Sequence, residues 1–277
     1  MDKKSARDAA SDAHAGVVSK IARLRRLGLI GAAVEKQALR ALKAAALGVP
    51  PAEMDSAEYE HWQLNLLAPL LTRALSSSHS GVVLVISDLR ALVISTRTGK
   101  IRRVSAFAPS LLHLAGQGVW LANAPFPGTL PAPIVRLCRQ RASMQKNHLP
   151  AVPLVWSRYD AWGALDCRVF LLQAASGTGA AHIGISMRYH EALPLKLLRD
   201  CELQRLTSRE TDFCLLASAG LSRPQIAQRM GVTAHTANTF GRHIFAKLGV
   251  HCRAELLHLL QSPPAIGMDG VQRDFRG

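Results

Sequence analysis

The stretch 231–250, GVTAHTANTFGRHIFAKLGV, gathers side chains suited to hydrogen-bonding a nucleic acid. Arg242 can pair bidentately with guanine, and Asn238 with adenine. Thr233, Thr236, His243 and Lys247 suit phosphates, which set position and carry no sequence information. On a helical wheel of 234–248, Ala237, Phe240, Gly241, Ile244 and Leu248 fall on one side. His235, Thr239, Arg242 and Ala246 fall on the other. Asn238 and Phe245 lie on one flank, and Thr236, His243 and Lys247 on the opposite flank. Such a helix needs neighbours that grip its apolar side and leave the polar side open.

Those neighbours are marked by their ends. Thr207 followed by Glu210 is a capping box, and the helix it opens stops at Gly220. Ser222 followed by Gln225 is a second capping box, with Pro224 in the first turn, where a missing N–H does no harm. This second helix is about two turns long. Gly231 supplies a turn, Thr233 caps the third helix and Gly249 ends it. A fourth begins near Val250 to Cys252 and carries Leu256, Leu257 and Leu260. A short helix, a turn with glycine and a longer helix make a helix-turn-helix, whose second helix lies in the major groove of double-stranded DNA.

The run 206–260 resembles the LuxR-type helix-turn-helix, also called FixJ/NarL-type. Leu206, Thr207, Arg209, Glu210, Gly220, Ser222, Ile226, Ala227, Thr236, Lys247, Leu248, Gly249, Val250, Arg253, Glu255 and Leu256 carry the likeness. The resemblance implies a four-helix DNA-binding domain of a bacterial transcription factor, acting as a homodimer through its last helix. It implies contacts from Asn238, Thr239, Arg242 and Lys247. Ala237, Asn238 and Phe240 depart from the usual Val, Lys or Arg, and His. The departure at 238 removes a positive charge from the DNA face.

The rest of the chain fits an anionic partner. Among 277 residues the formal net charge is +15, and residues 1–50 carry ten Lys/Arg against four acids. The five cysteines, Cys138, Cys167, Cys201, Cys214 and Cys252, form no C-x-x-C pair and suggest reduced thiols in a cytoplasmic protein. No Cys/His cluster has metal-ligand spacing, no apolar run suits a membrane span, and no signal peptide is expected. No nucleophile, metalloprotease or phosphate-loop motif is present, so an enzyme is not expected, nor a cofactor.

Upstream of 206 the pattern is mixed. Residues 1–55 read as a basic helical region with a disordered start. Residues 56–192 read as a sensor domain: a helix over 56–76, a hairpin in 81–95 turning at Asp88-Leu89-Arg90, helices at both ends of 109–139, then strands in 151–158, 166–174 and 180–189. A helical connector follows at 193–205, the helix-turn-helix unit at 206–262 and a disordered tail at 263–277. A phospho-receiver is disfavoured, because the alternating β-α repeats are missing; Asp88 is then a turn residue. About 80–200 instead looks PAS-like, with a GAF-like fold as runner-up. The fold class is therefore α+β: a PAS-like or GAF-like antiparallel sheet domain, then an all-α four-helix unit. The sensor would take a small-molecule ligand or a protein partner. Trp120, Trp156 and Trp162 are candidate pocket residues, although buried tryptophan is more often core. His182 and His190 read as structural or exposed. The alternative to a DNA-binding regulator is a basic protein held on RNA or a membrane surface by "SKIARLRRLGLIGAAV", or a regulator working mainly through protein–protein contacts.

Overall fold

The computed structural model describes residues 3–46, 55–121, 124–147, 152–172, 182–199 and 206–261. The Pro-rich break at 48–53, the turn at 175–179, the end of the connector, Cys201 and the tail after 261 lie outside them. Three helices come first: α1 (Lys3–Arg26), α2 (Ala32–Ala46) and α3 (Ser56–Ser78). The helix starts at Lys3, where the sequence reading expects disorder; Ala and Lys, good helix formers, dominate its first turns. Ala13, Val17, Ile21 and Leu24 are buried at helical spacing, and α1 and α2 both pack on α3. Asp55 caps α3 with a full capping box to Glu58.

The sheet comprises β1 (Leu84–Ser95), β2 (Ile101–Val104), β3 (Leu154–Asp160), β4 (Gly163–Leu172) and β5 (His182–Ala192). It is antiparallel, with order β2-β1-β5-β4-β3. The expected hairpin within 81–95 is absent: β1 runs straight through Asp88. Its alternation of buried Val85, Ser87, Leu89, Ala91 and Val93 with outward Ile86, Asp88, Arg90 and Leu92 never breaks. The extra residues are absorbed by a bulge between Ile86 and Arg90 against β5. Asp88 is thus a bulge residue, 3.3 Å from His61 Nε2, and not a turn. The actual hairpin joins β1 to β2, a four-residue strand that periodicity does not register.

Between β2 and β3 come α4 (Ala108–Gln117) and α5 (Ala132–Lys146), which lie against the sheet together with α3. Arg158 of β3 donates to the Leu114 and Ala115 carbonyls at the end of α4. After β5 the chain continues through α6 (Leu193–Arg199) to the C-terminal helices α7 (Ser208–Ser218), α8 (Arg223–Met230), α9 (Ala234–Leu248) and α10 (Arg253–Gln261). The fold is α+β: a five-strand antiparallel sheet with helices, then a helical unit.

Candidate nucleic-acid interface

The helix ends fix α9 in place. Thr207 Oγ1 accepts the Glu210 N–H at 3.3 Å, and Glu210 Oε2 accepts the Thr207 N–H at 2.7 Å. Ser222 donates its N–H to Gln225 Oε1 at 2.8 Å. Gly231 closes α8 in the left-handed region at φ 65, a conformation that costs glycine little. Thr233 Oγ1 accepts the Thr236 N–H at 3.1 Å. Arg253, at the start of α10, donates to the Leu221 and Ala217 carbonyls at 2.8 and 2.7 Å, tying α10 to the α7–α8 turn. Arg209 donates to the Met230 carbonyl of α8.

Held this way, α9 buries Ala237, Gly241 and Ile244, with Phe240 and Leu248 half-buried beside them. His235, Asn238, Arg242, His243, Ala246 and Lys247 are exposed, and Thr236 and Thr239 half-exposed. All eight residues expected from the sequence lie on α9 or its cap, but the polar groups of five are already engaged, that of Asn238 by Arg223. Thr233 caps the helix and pairs with the Thr236 hydroxyl, and Thr239 Oγ1 donates to the His235 carbonyl. Lys247 Nζ sits 2.7 Å from Glu210 Oε2. Arg242 makes no hydrogen bond or ion pair among the described residues, and its guanidinium faces solvent.

Glu210 is nearly buried. Burial pushes its carboxyl up, but the hydrogen bonds from Lys247 and Thr207 outweigh that and hold it below the usual carboxylate range. The Lys247–Glu210 pair therefore ties the end of α9 to the start of α7, a structural role the sequence reading did not assign.

One residue that sequence reasoning missed is Arg223, the first of α8. Its Nη1 donates to Asn238 Oδ1 at 2.7 Å. The cation absent at 238 is thus supplied from a neighbouring helix. Fifteen positions separate the two, too far for any single-helix spacing rule to link them.

The three candidate tryptophans occupy different settings. Trp120 is 7% exposed and donates its indole N–H to the Leu66 carbonyl. Arg73 stacks on Trp162 at 4.4 Å, and Trp156 packs partly buried on β3. A cavity of about 630 Å³ lies instead beside α3, lined by Trp62, Phe107, Leu64, His61, Asn65 and Arg199 among others. Most of its charged groups are paired internally: Arg199 with buried Glu191, Lys20 with Glu60, and His61 with Asp88. His190 likewise pairs with Asp166 at 2.8 Å, the structural role expected of it.

The basic N-terminal helix turns inward. Arg23 Nε lies 2.7 Å and Arg26 Nη2 3.1 Å from the carboxylate of Asp212, which is 1% exposed on α7. Arg23 also donates to the Ser208 carbonyl. In return, Arg229 of α8 donates to the Gly28 and Leu27 carbonyls at 2.9 and 3.3 Å. Arg25 lies 3.8 Å from Glu35. Lys20, Arg23, Arg25 and Arg26, four of the cations that suggest an anionic surface in the sequence, thus face acids of the same chain. No described helix is long and apolar enough to cross a membrane, and no described group of His, Cys, Asp and Glu can hold a metal ion.

Residues 204–260 match the family model described as GerE, bacterial regulatory proteins, luxR family. The C-terminal unit is thus a LuxR-type helix-turn-helix domain. No curated protein matches the chain. Among solved structures the chain is similar to "VqmA bound to DPO", at 15% identity and TM-score 0.24, covering 62% of this chain and 84% of that one. It is also similar to the Vibrio cholerae VqmA dimer in the absence of target DNA, at 16% identity and TM-score 0.23, covering 61% and 80%. The phage VqmA–DPO complex is similar at 13% identity and TM-score 0.23, covering 64% and 85%. The family match concerns the C-terminal unit alone.

Proposed function

We propose that the protein is a sequence-specific transcriptional regulator that reads the major groove of DNA with α9. The observation that carries this reading is the exposed, unpartnered Arg242 at the centre of the outer face of a helix capped at both ends. Arg242 would donate two hydrogen bonds to one guanine. His235 and Thr239 flank it, and His243 and Thr236 lie toward the phosphates. Thr233 acts through the cap, and Lys247 through its pairing with Glu210. Two copies acting together would read two half-sites. Leu257 and Leu259 on α10, the latter 41% exposed, are the surface for that pairing.

The N-terminal sheet unit is read as a PAS-like or GAF-like sensor of a small molecule or protein partner. The sheet with α3, α4 and α5 against it supports this, as does the cavity beside α3. The test is a binding titration on duplex DNA across salt concentrations, with light scattering of the complex. Tight binding to selected duplexes over random ones, with two chains per duplex, is expected. Equal affinity for all duplexes would overturn sequence-specific reading, and one chain per duplex would overturn the dimer.

A further inference from the structure

Arg223 opens α8, and Asn238 stands on the flank of α9 that faces it. Both are exposed, and the only polar contact between α8 and this flank among the described residues is Arg223 Nη1 to Asn238 Oδ1 at 2.7 Å. A guanidinium has donors and no acceptor. The contact therefore fixes which end of the carboxamide faces Arg223: the oxygen points to the arginine and the N–H2 group points away. An asparagine without such a partner can turn either end outward, offering a donor or an acceptor.

We propose that Arg223 determines the base preference of Asn238 by holding its carboxamide in one orientation. This rests on the reading of α9 as the groove-binding helix. In that orientation Asn238 leads with donors. It suits base edges that present acceptors: N7 of a purine, O6 of guanine or O4 of thymine. It disfavours the N4 donor of cytosine. The remaining guanidinium donors of Arg223 restore a cation to a flank where the helix itself has none, so the residue also attracts phosphate. Orientation and attraction are separable, because only the first depends on which base is present.

The experiment takes the operator selected by the wild-type chain and measures affinity for each base at every position. The position read by Asn238 is the one whose preference is lost in Asn238→Ala. Wild type is expected to discriminate there against cytosine by roughly tenfold or more. Arg223→Ala is expected to reduce that discrimination to within about threefold, and the double substitution to reduce it no further. Both side chains are exposed, so thermal melts of all three variants should match wild type. Uniform weakening by Arg223→Ala, with cytosine discrimination intact, would leave Arg223 as a phosphate contact only and overturn the inference while sparing the reading of α9. A wild-type chain that selects no operator would overturn both.

Discussion

Arg23 Nε lies 2.7 Å from Asp212 Oδ1, joining α1 to the first helix of the C-terminal unit across 189 positions of sequence. Arg26 reaches the same carboxylate. A carboxylate that is 1% exposed is costly without a cation. Replacing both arginines with alanine should destabilise the protein by about 2–3 kcal/mol, below the full cost of orphaning a buried ion because both arginines reach solvent. Asp212→Ala should cost less, since the charge leaves with its partners. Urea denaturation compares the variants, and equal stability of the double-arginine variant and wild type would sever α1 from this role.

The other half of the contact turns on Gly28. It sits at φ 65, and a Cβ there would fall on Arg229 Nη1. Gly28→Ala should cost about 1–2 kcal/mol from the left-handed backbone, plus the displacement of Arg229. The loss should shrink in an Arg229→Ala background, leaving only the backbone strain. Additive losses in that double-mutant cycle would mean that the two residues are not coupled.

Glu210 gives the fold a pH dependence. Its folded-state value lies below that of the unfolded chain. The stabilisation is therefore complete above the ordinary glutamate range, and is lost as pH falls through the depressed folded-state value. Glu210→Gln should lower the melting temperature at neutral pH and flatten the acid limb of the melting-temperature profile. A variant whose melting curve parallels wild type from neutral to strongly acid pH would contradict the pairing.

Lys247 and Arg242 should separate in their effects. Lys247 shares its charge with Glu210. Lys247→Ala should therefore lower both stability and DNA affinity, and reduce the salt slope by less than the ~0.9 expected for one full phosphate contact. Arg242→Ala should leave the melting temperature unchanged. A salt titration and a thermal melt of each variant decide it. A full unit of slope lost by Lys247→Ala, with no change in melting, would place Lys247 wholly on DNA.

The C-terminal unit was legible because its signals are local. Thr207, Gly231, Thr233 and Gly249 each name a helix end within a few residues, and Ala237, Gly241 and Ile244 repeat at helical spacing. The sheet was partly legible. The strands containing Trp156, Val169 and Ile185 alternate or run apolar. The bulge at Ser87–Leu89 imitates a turn, because a polar Asp88 and Arg90 flank one leucine. What sequence alone could not show was pairing at long range. Arg223 meets Asn238, Lys247 meets Glu210 and Arg23 meets Asp212 only after folding, and no periodicity links those positions. Pairing also changes the meaning of part of the basic N-terminus, where Lys20, Arg23, Arg25 and Arg26 face acids of the same chain. Of the tryptophans, Trp120 is held by the Leu66 carbonyl inside the core, a pairing that no local signal announces.

The most direct test of the account is selection of bound duplexes from a random pool by the wild-type chain and by Arg242→Ala, sequenced side by side. Wild type should enrich one motif containing a guanine whose preference disappears in the Arg242→Ala pool, with the other positions kept. No enriched motif, or the same guanine preference in both pools, would contradict a reading helix centred on Arg242.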